Sequence, residues 1–167
     1  MENISKLSFT LKIRGYIALL KLRLSSLVVM SAFFGFLLAD GNLTSYTFLN
    51  LILGGVLITG SSNGFNQIIE HKTDELMSRT LSRPLPCKVL SIPEALTFCI
   101  IAGALGLYLL ASINFSSFIL GLLAMIVYTI IYTPLKKITP FAVFIGAIPG
   151  SIPPLLGYVA VSNDFGL

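Results

Sequence analysis

Charged residues are scarce in this chain of 167 residues, since Asp, Glu, Lys and Arg together make up only 11% of it. Soluble domains average roughly 25%. Hydrophobic residues account for 55% of the sequence, and the mean hydropathy is +0.91. Such a composition excludes an ordinary soluble domain and predicts a membrane protein.

Cysteine and histidine are also nearly absent, with two cysteines and one histidine in the whole sequence. Cys87 and Cys99 form no CxxC pair and lack the Cys/His spacing of a metal site. These patterns predict neither a disulfide framework nor a zinc site. Internal repeats and linkers are absent as well, so we expect residues 1–167 to belong to a single domain.

The apolar runs lack the alternation of polar and apolar residues that is typical of a membrane-spanning β-barrel. Because lipid allows only barrels and helices, we expect helices. Five runs approach the ~20 apolar residues that a helix needs to cross a bilayer. They cover residues 24–40, 47–66, 94–111, 115–133 and 141–161. The predicted fold is therefore an all-α, polytopic membrane helix bundle.

The basic residues are distributed unevenly among the segments that connect these runs. All eleven lie in the amino-terminal segment, after the second run or after the fourth, whereas Asp40 and Asp164 lie in the other segments. Short basic loops stay in the cytoplasm, so the pattern predicts a cytoplasmic amino terminus. The net charge of +4 then reflects topology, and we expect no nucleic-acid partner.

The second apolar run ends in a stripe of polar side chains. Asn66, Glu70 and Asp74 are spaced four residues apart, so they lie above one another on one face of a helix. Asn63 extends this stripe toward the middle of the run. Polar groups at this depth usually face the interior of a bundle, so we expect the stripe to line an internal site.

Two carboxylates on one helix face repel each other unless a cation lies between them or their spacing leaves both in water. Oxygen ligands without thiols or imidazoles suit Mg²⁺, which uses one or two carboxylates and completes its shell with water and substrate phosphates. This chemistry indicates a phosphorylated ligand. Arg79 and Arg83 can bind its phosphate oxygens, and Lys136 and Lys137 lie on the same predicted side. The positive-inside rule alone would also explain these basic residues.

Two long stretches resemble a known family. NGFNQIIEHKTDELMSRTLSRPLP, which covers residues 63–86, resembles the first acidic motif of the intramembrane prenyltransferase superfamily. That motif commonly has Asn-Asp, with Asp at the fourth and eighth positions after the Asn; here Asn66-Gln67, Glu70 and Asp74 take those places. This variant is similar to the protoheme IX farnesyltransferases, or heme O synthases. YTPLKKITPFAVFIGAIPGSIPPLLGY, which covers residues 132–158, resembles a later segment of the same family.

The resemblance implies a function. Members of that family transfer a farnesyl group from farnesyl diphosphate to a vinyl group of heme B, which gives heme O. By this resemblance we expect the catalytic residues, which would also hold Mg²⁺ with the diphosphate, to be Asn66, Glu70 and Asp74. We expect the substrate-binding residues to be Asn63, Arg79, Arg83, Lys136 and Lys137. We also expect a bacterial inner membrane, and the distribution of basic residues predicts that the acidic motif lies on its cytoplasmic side.

Several alternatives stay open beside this interpretation. The family fold has roughly nine helices, so the chain would be its amino-terminal part, incomplete at the carboxyl end and without a second acidic motif. A quinone-precursor prenyltransferase is a second possibility, although its motif usually carries Asn-Asp and Asp. A non-catalytic membrane protein, such as a transporter half or a truncated relative, is a third. Tyr128 and Tyr132 share a helix face and could line the site or anchor the helix at the membrane interface.

Overall fold

The computed structural model describes the backbone of residues 2–165 and the side chains of residues 9–165. The side chain of Lys6, one of the amino-terminal basic residues, lies outside this part. Every regular element in the described range is helical. The elements are α1 (Glu2–Leu20), α2 (Leu22–Leu38), α3 (Tyr46–Asp74), α4 (Ile92–Ala111), α5 (Phe115–Ile126), a π-helical turn (Val127–Tyr132), α6 (Thr133–Leu135) and α7 (Ala142–Ser162).

Within the described residues, five helical segments are long and apolar enough to cross a membrane, which confirms the predicted all-α membrane bundle. They are Phe9–Leu38, Tyr46–Asp74, Ile92–Ala111, Phe115–Leu135 and Ala142–Ser162. Each predicted run falls within the corresponding segment, apart from one or two terminal residues. The helices are longer than expected at two places, because the first segment begins earlier and the second continues to Asp74.

Helix α1 was not expected from the sequence, where its basic residues were assigned only to the cytoplasmic end. It packs against α3 and α4, and Lys12 forms an ion pair with Glu94 of α4. Leu19, near the end of α1, is completely buried. Long basic side chains can lay their stems along apolar surface while their charges stay in water, so lysines and arginines are compatible with this helix.

Helix α3 carries the polar stripe as an uninterrupted extension of its membrane-spanning part. Ser45 caps its start by accepting a hydrogen bond from the Phe48 N–H. At its end the Glu75 N–H donates to the His71 carbonyl. The helix is 29 residues long, and at 1.5 Å per residue it exceeds a bilayer core of about 30 Å by two to three turns. Its last turns therefore bring the polar residues to one end of the bundle.

The fourth membrane segment is not a uniform helix. In the π-helical turn the Thr133 N–H donates to the carbonyl of Tyr128, five residues earlier. The Thr133 hydroxyl donates to the same carbonyl at 2.8 Å. Pro134 has no N–H with which to continue the usual ladder, and an extra residue in the turn is one way to accommodate it. Such turns are frequent at functional sites.

Helices α2 and α7 approach each other closely through small residues. A Cβ added to Gly157 would lie 1.8 Å from the Ala32 carbonyl oxygen, and one added to Gly35 would lie 1.9 Å from the Pro154 carbonyl oxygen. Only glycine fits at such a contact between two backbones, as is common in membrane bundles. This packing fixes α7 against α2 and shapes the space that these helices enclose with α3 and α5.

Candidate functional site

A polar cavity of about 320 Å³ lies at the end of α3. Helix α3, the loop that follows it, the π-helical turn and the junction between α1 and α2 all contribute to its walls. The lining residues are Lys21, Asn66, Glu70, Thr73, Asp74, Met77, Arg79, Thr80, Arg83, Tyr128, Tyr132 and Lys136. The cavity thus gathers residues that are far apart in the sequence.

The three residues of the acidic motif are buried on the inner face of α3. Asn66 is 2% exposed, Glu70 is 9% exposed and Asp74 is 4% exposed. Buried carboxylates are costly unless they are paired or bind a metal. Their burial therefore requires partners for both acids.

Each carboxylate has one cationic partner. Arg83 donates from Nη1 to Asp74 Oδ2 at 2.6 Å, and Lys136 donates from Nζ to Glu70 Oε2 at 3.0 Å. The two cations come from different parts of the chain, Arg83 from the loop after α3 and Lys136 from the segment after α6. The ion pairs therefore join three segments around the cavity.

The π-helical turn supplies the aromatic wall of the cavity. The Tyr128 and Tyr132 rings stack with centroids 5.5 Å apart. The Lys136 ammonium lies 5.6 Å from the centroid of the Tyr132 ring, a distance at which a cation is attracted to the ring face. Asn66 Nδ2 donates to the Thr133 hydroxyl at 3.2 Å, which ties α3 to this wall.

A hydrogen bond from a buried residue of the loop after α3 connects this loop to the end of the helix. Thr80 is buried, and its hydroxyl donates to the Asp74 carbonyl at 2.8 Å. Arg79 and Arg83 flank this anchor in the sequence, and both line the cavity. The anchor therefore holds the two arginines near the end of α3.

Positive charge is in excess in the polar cavity. Four cationic side chains line it together with two carboxylates, which gives a formal net charge of +2. Arg83 and Lys136 are paired with the acids. Among the described side chains, Lys21 and Arg79 form no ion pair. Such an arrangement favours an anionic ligand.

An apolar cavity of about 210 Å³ adjoins the polar one, and Tyr128 lines both. It lies between α2, α3, α5 and α7. Its walls include Leu24, Val28, Ile58, Met125 and Pro153. A ligand with a charged head and an apolar tail could therefore occupy both spaces.

The structure brings most of the sequence-derived candidates together. Lining the polar cavity are Asn66, Glu70, Asp74, Arg79, Arg83 and Lys136. Asn63 is buried one turn deeper and lines the apolar cavity instead. Lys137 lies outside both cavities, where its Nζ donates to the Thr73 hydroxyl at 3.3 Å.

Other lining residues were not among the candidates. Lys21 was assigned only to the basic amino-terminal segment, since nothing in its local sequence places it near α3. Tyr128 and Tyr132 line the cavity, which favours the first of their two interpretations. Thr73, Met77 and Thr80 belong to the motif region, but their types carry no signal of their own.

The residues present fit a Mg²⁺ ion that is bound together with phosphate. No group of three or more acidic, histidine or cysteine side chains that could hold a metal occurs among the described residues. Mg²⁺ does not need such a cage, because it typically uses one or two carboxylates plus phosphate oxygens and water. Glu70 and Asp74 are carboxylates of this kind at the edge of the polar cavity.

The described residues form five helices of membrane length with a charged cavity at one end of the bundle, and these features define an integral membrane protein of the all-helical class. Within this class the chain belongs to the UbiA prenyltransferase family, whose model matches residues 28–167. The match includes the entire polar stripe of α3 and the π-helical turn.

Several relatives carry the name protoheme IX farnesyltransferase. The protein of Cytophaga hutchinsonii is 42% identical over 159 residues, which cover 92% of this chain and 54% of the relative. That of Flavobacterium psychrophilum is 45% identical over 143 residues, covering 84% of this chain and 48% of the relative. The mitochondrial protein of Arabidopsis thaliana is 41% identical over 155 residues, covering 90% of this chain and 36% of the relative.

The chain spans about half the length of the bacterial relatives that it matches. No solved structure shows a significant match to it.

Proposed function

We propose that this chain takes part in the transfer of a farnesyl group from farnesyl diphosphate to the vinyl group of protoheme IX, which makes heme O. The names of its relatives support this activity. The observation that carries it is the contact between a net-positive polar cavity and an apolar cavity at Tyr128.

The two cavities match the two parts of an allylic diphosphate. The cations of the polar cavity suit a diphosphate group, which carries several negative charges. The apolar cavity suits part of an isoprenoid tail, and the remainder would lie in the surrounding lipid. Such a division would set the reacting carbon near Tyr128, where the cavities meet.

Binding of a diphosphate would rearrange the ion pairs of the polar cavity. Arg83 and Lys136 would turn from Asp74 and Glu70 to phosphate oxygens, because a diphosphate offers more negative charge than either carboxylate. Glu70 and Asp74 would then be free to hold Mg²⁺, with Asn66 beside them. When bound, Mg²⁺ neutralises charge on the diphosphate oxygens.

The residues of the chain would favour departure of the diphosphate. Once they have turned to the diphosphate, these cations would stabilise the charge that develops on the leaving oxygens as the carbon–oxygen bond breaks. The electron pair of that bond leaves with the diphosphate, and the π electrons of the porphyrin vinyl group form the new bond to the farnesyl carbon. The cation left on the vinyl carbon next to the ring would then be quenched by a water molecule, which loses a proton and leaves a hydroxyl group there. The apolar cavity would keep water away from the allylic cation.

The proposed setting is a bacterial inner membrane with the polar cavity on the cytoplasmic side. The grouping of basic residues supports this orientation, since basic loops stay in the cytoplasm. Lipid bilayer, farnesyl diphosphate and heme B are therefore the proposed partners.

The test is farnesyl transfer by the purified chain in lipid nanodiscs with Mg²⁺, with heme B and 4-hydroxybenzoate offered as separate acceptors. The product is identified by its mass. A parallel sample contains the chain together with the part of the Cytophaga hutchinsonii relative that it does not cover. The proposal expects a farnesylated heme in at least one of the two samples.

The controls separate the possible failures. If only 4-hydroxybenzoate were farnesylated, the acceptor would be a quinone precursor and not heme B. No transfer in either sample, together with no binding of farnesyl diphosphate, would contradict the proposal.

A further inference from the structure

Helix α1 gives way to α2 at Lys21, which has the left-handed backbone angles φ 45° and ψ 54°. In a continuous helix the carbonyls of Leu19 and Leu20 would accept hydrogen bonds from N–H groups four residues later. Instead the Leu24 N–H donates to the Lys21 carbonyl at 2.8 Å. The break therefore leaves two carbonyl groups without their helical donors.

Side chains from α2 and α3 replace these donors. Gln67 Nε2 donates to the Leu19 carbonyl at 3.0 Å, and Ser25 Oγ donates to the Leu20 carbonyl at 2.8 Å. Gln67 is 1% exposed and Ser25 is fully buried. Because buried polar groups need hydrogen-bond partners, both side chains stabilise the broken form of the junction rather than a continuous helix.

The break places Lys21 among the lining residues of the polar cavity. There it shares the cavity lining with Glu70, Asp74, Arg83 and Lys136. Left-handed angles are unfavourable for a residue with a side chain. Such local strain is concentrated at functional sites, where the surrounding structure maintains it.

Lys21 has no partner for its ammonium among the described side chains, either by hydrogen bond or by ion pair. The two carboxylates of the cavity are already paired with Arg83 and Lys136. A partly buried lysine without a partner is available to an anion that enters the cavity.

We propose that Lys21 binds the diphosphate in the polar cavity, and that Gln67 is a positioning residue that acts through Lys21 by holding the break between α1 and α2. This inference rests on the proposed function, since it takes the ligand to be a diphosphate. It also gives a reason for Gln at position 67, where the commoner motif has Asp. An amide donates to a carbonyl, whereas an ionised carboxylate cannot.

The first experiment titrates inorganic pyrophosphate with Mg²⁺ into the chain in lipid nanodiscs by calorimetry. Lys21→Met should raise the dissociation constant roughly tenfold or more, the effect of losing a hydrogen bond from a charged group. Arg23→Met is the matched control, because Arg23 carries the same charge two residues away but does not line the polar cavity. It should bind pyrophosphate like the wild type.

A second experiment tests the positioning role. Gln67→Met keeps the side-chain length and removes the donor, so it should weaken pyrophosphate binding when Lys21 is present. In the Lys21→Met background it should have little further effect, because both changes act on the same contact. Lys21→Arg should retain most of the affinity. Gln67→Leu, which also lacks the donor and adds no charge, replaces Gln67→Met if that variant does not fold.

The outcomes distinguish the inference from the function on which it rests. If the wild type binds no pyrophosphate and no farnesyl diphosphate, both are overturned. If the wild type binds pyrophosphate and Lys21→Met binds it equally well, only the role of Lys21 is overturned. Full additivity of the two substitutions would overturn the positioning role of Gln67.

Discussion

Arg83 reaches back nine residues along the chain to donate from Nη1 to Asp74 Oδ2 at 2.6 Å. The Asp74 side chain is nearly buried, whereas that of Arg83 is partly exposed. Removal of one partner from such a pair leaves the other charge uncompensated. The pair therefore neutralises the acid at the end of α3 and holds the following loop near it.

The charge of Asp74 should have opposite effects on anion binding with and without metal. Without Mg²⁺, Asp74→Asn removes a negative charge and frees Arg83, so pyrophosphate should bind about tenfold more tightly. With Mg²⁺, the same variant should bind pyrophosphate less tightly than the wild type, because a metal ligand is lost. Calorimetric titrations of pyrophosphate, one in EDTA and one in Mg²⁺, give the two dissociation constants for each protein.

Glu75→Gln is the control for this experiment, since Glu75 is the neighbouring acid and lies outside the polar cavity. It should leave both dissociation constants unchanged. Equal affinities of Asp74→Asn and the wild type under both conditions would argue against a role of Asp74 in binding the metal or the diphosphate.

The hydroxyl of Thr80 should stabilise both the fold and the site. It donates to the Asp74 carbonyl at 2.8 Å from a buried position, so Thr80→Val should lower the free energy of unfolding by ~1–2 kcal/mol. Pyrophosphate should also bind less tightly, because the loop with both arginines loses its anchor. Thr44→Val is the control, since that hydroxyl bonds to the Asn42 side chain at an exposed site. Equal stability losses in the two variants would contradict the prediction.

The sequence predicted the fold well where the signal was local. Apolar runs of membrane length define four helices almost completely, and the spacing of Asn66, Glu70 and Asp74 predicted a shared helix face. The ion pairs that these acids form depend on how the helices pack. Arg83 could be paired with Asp74, and Lys136 with Glu70, only once the bundle was known.

Two features of the structure could not be predicted from the sequence, because they depend on tertiary contacts. The break at Lys21 needs a donor from Gln67, which is distant in the chain, so no pattern near Lys21 predicts it. The π-helical turn after Ile126 changes the register of a segment whose apolar periodicity continues through it. Pro134 was the only local signal of that change.

The close contact of α2 and α7 should make Gly157 intolerant of any side chain. Gly157→Ala would bring a methyl group to 1.8 Å from the Ala32 carbonyl oxygen, so one backbone must move, at a cost of about 1–3 kcal/mol or more. Gly150→Ala in the same helix is the control, because a Cβ there meets nothing within 4 Å. In detergent, the midpoint of thermal unfolding should be much lower for Gly157→Ala than for the wild type, and it should be unchanged for Gly150→Ala. Similar midpoints for the two variants would contradict the packing.

The apolar cavity should contribute to the binding of the prenyl tail but not of the diphosphate. Gly150 lines this cavity, and an added Cβ would meet no neighbouring atom. Gly150→Leu should therefore occupy part of a space of about 210 Å³ without disturbing the helices around it. Farnesyl diphosphate should bind roughly tenfold more weakly, since burial of one or two CH₂ groups contributes about 0.8 kcal/mol each.

Inorganic pyrophosphate is the matched ligand for that variant, because it has no tail and should bind to Gly150→Leu and to the wild type equally. Gly150→Ala should bind both ligands like the wild type, which separates the volume of the leucine from the loss of a glycine. If Gly150→Leu weakened both ligands to the same extent, the effect would come from the polar cavity, and the tail would lie elsewhere. If Gly150→Leu weakened the binding of farnesyl diphosphate alone, the tail would lie between α2, α3, α5 and α7, next to the cations that bind the diphosphate.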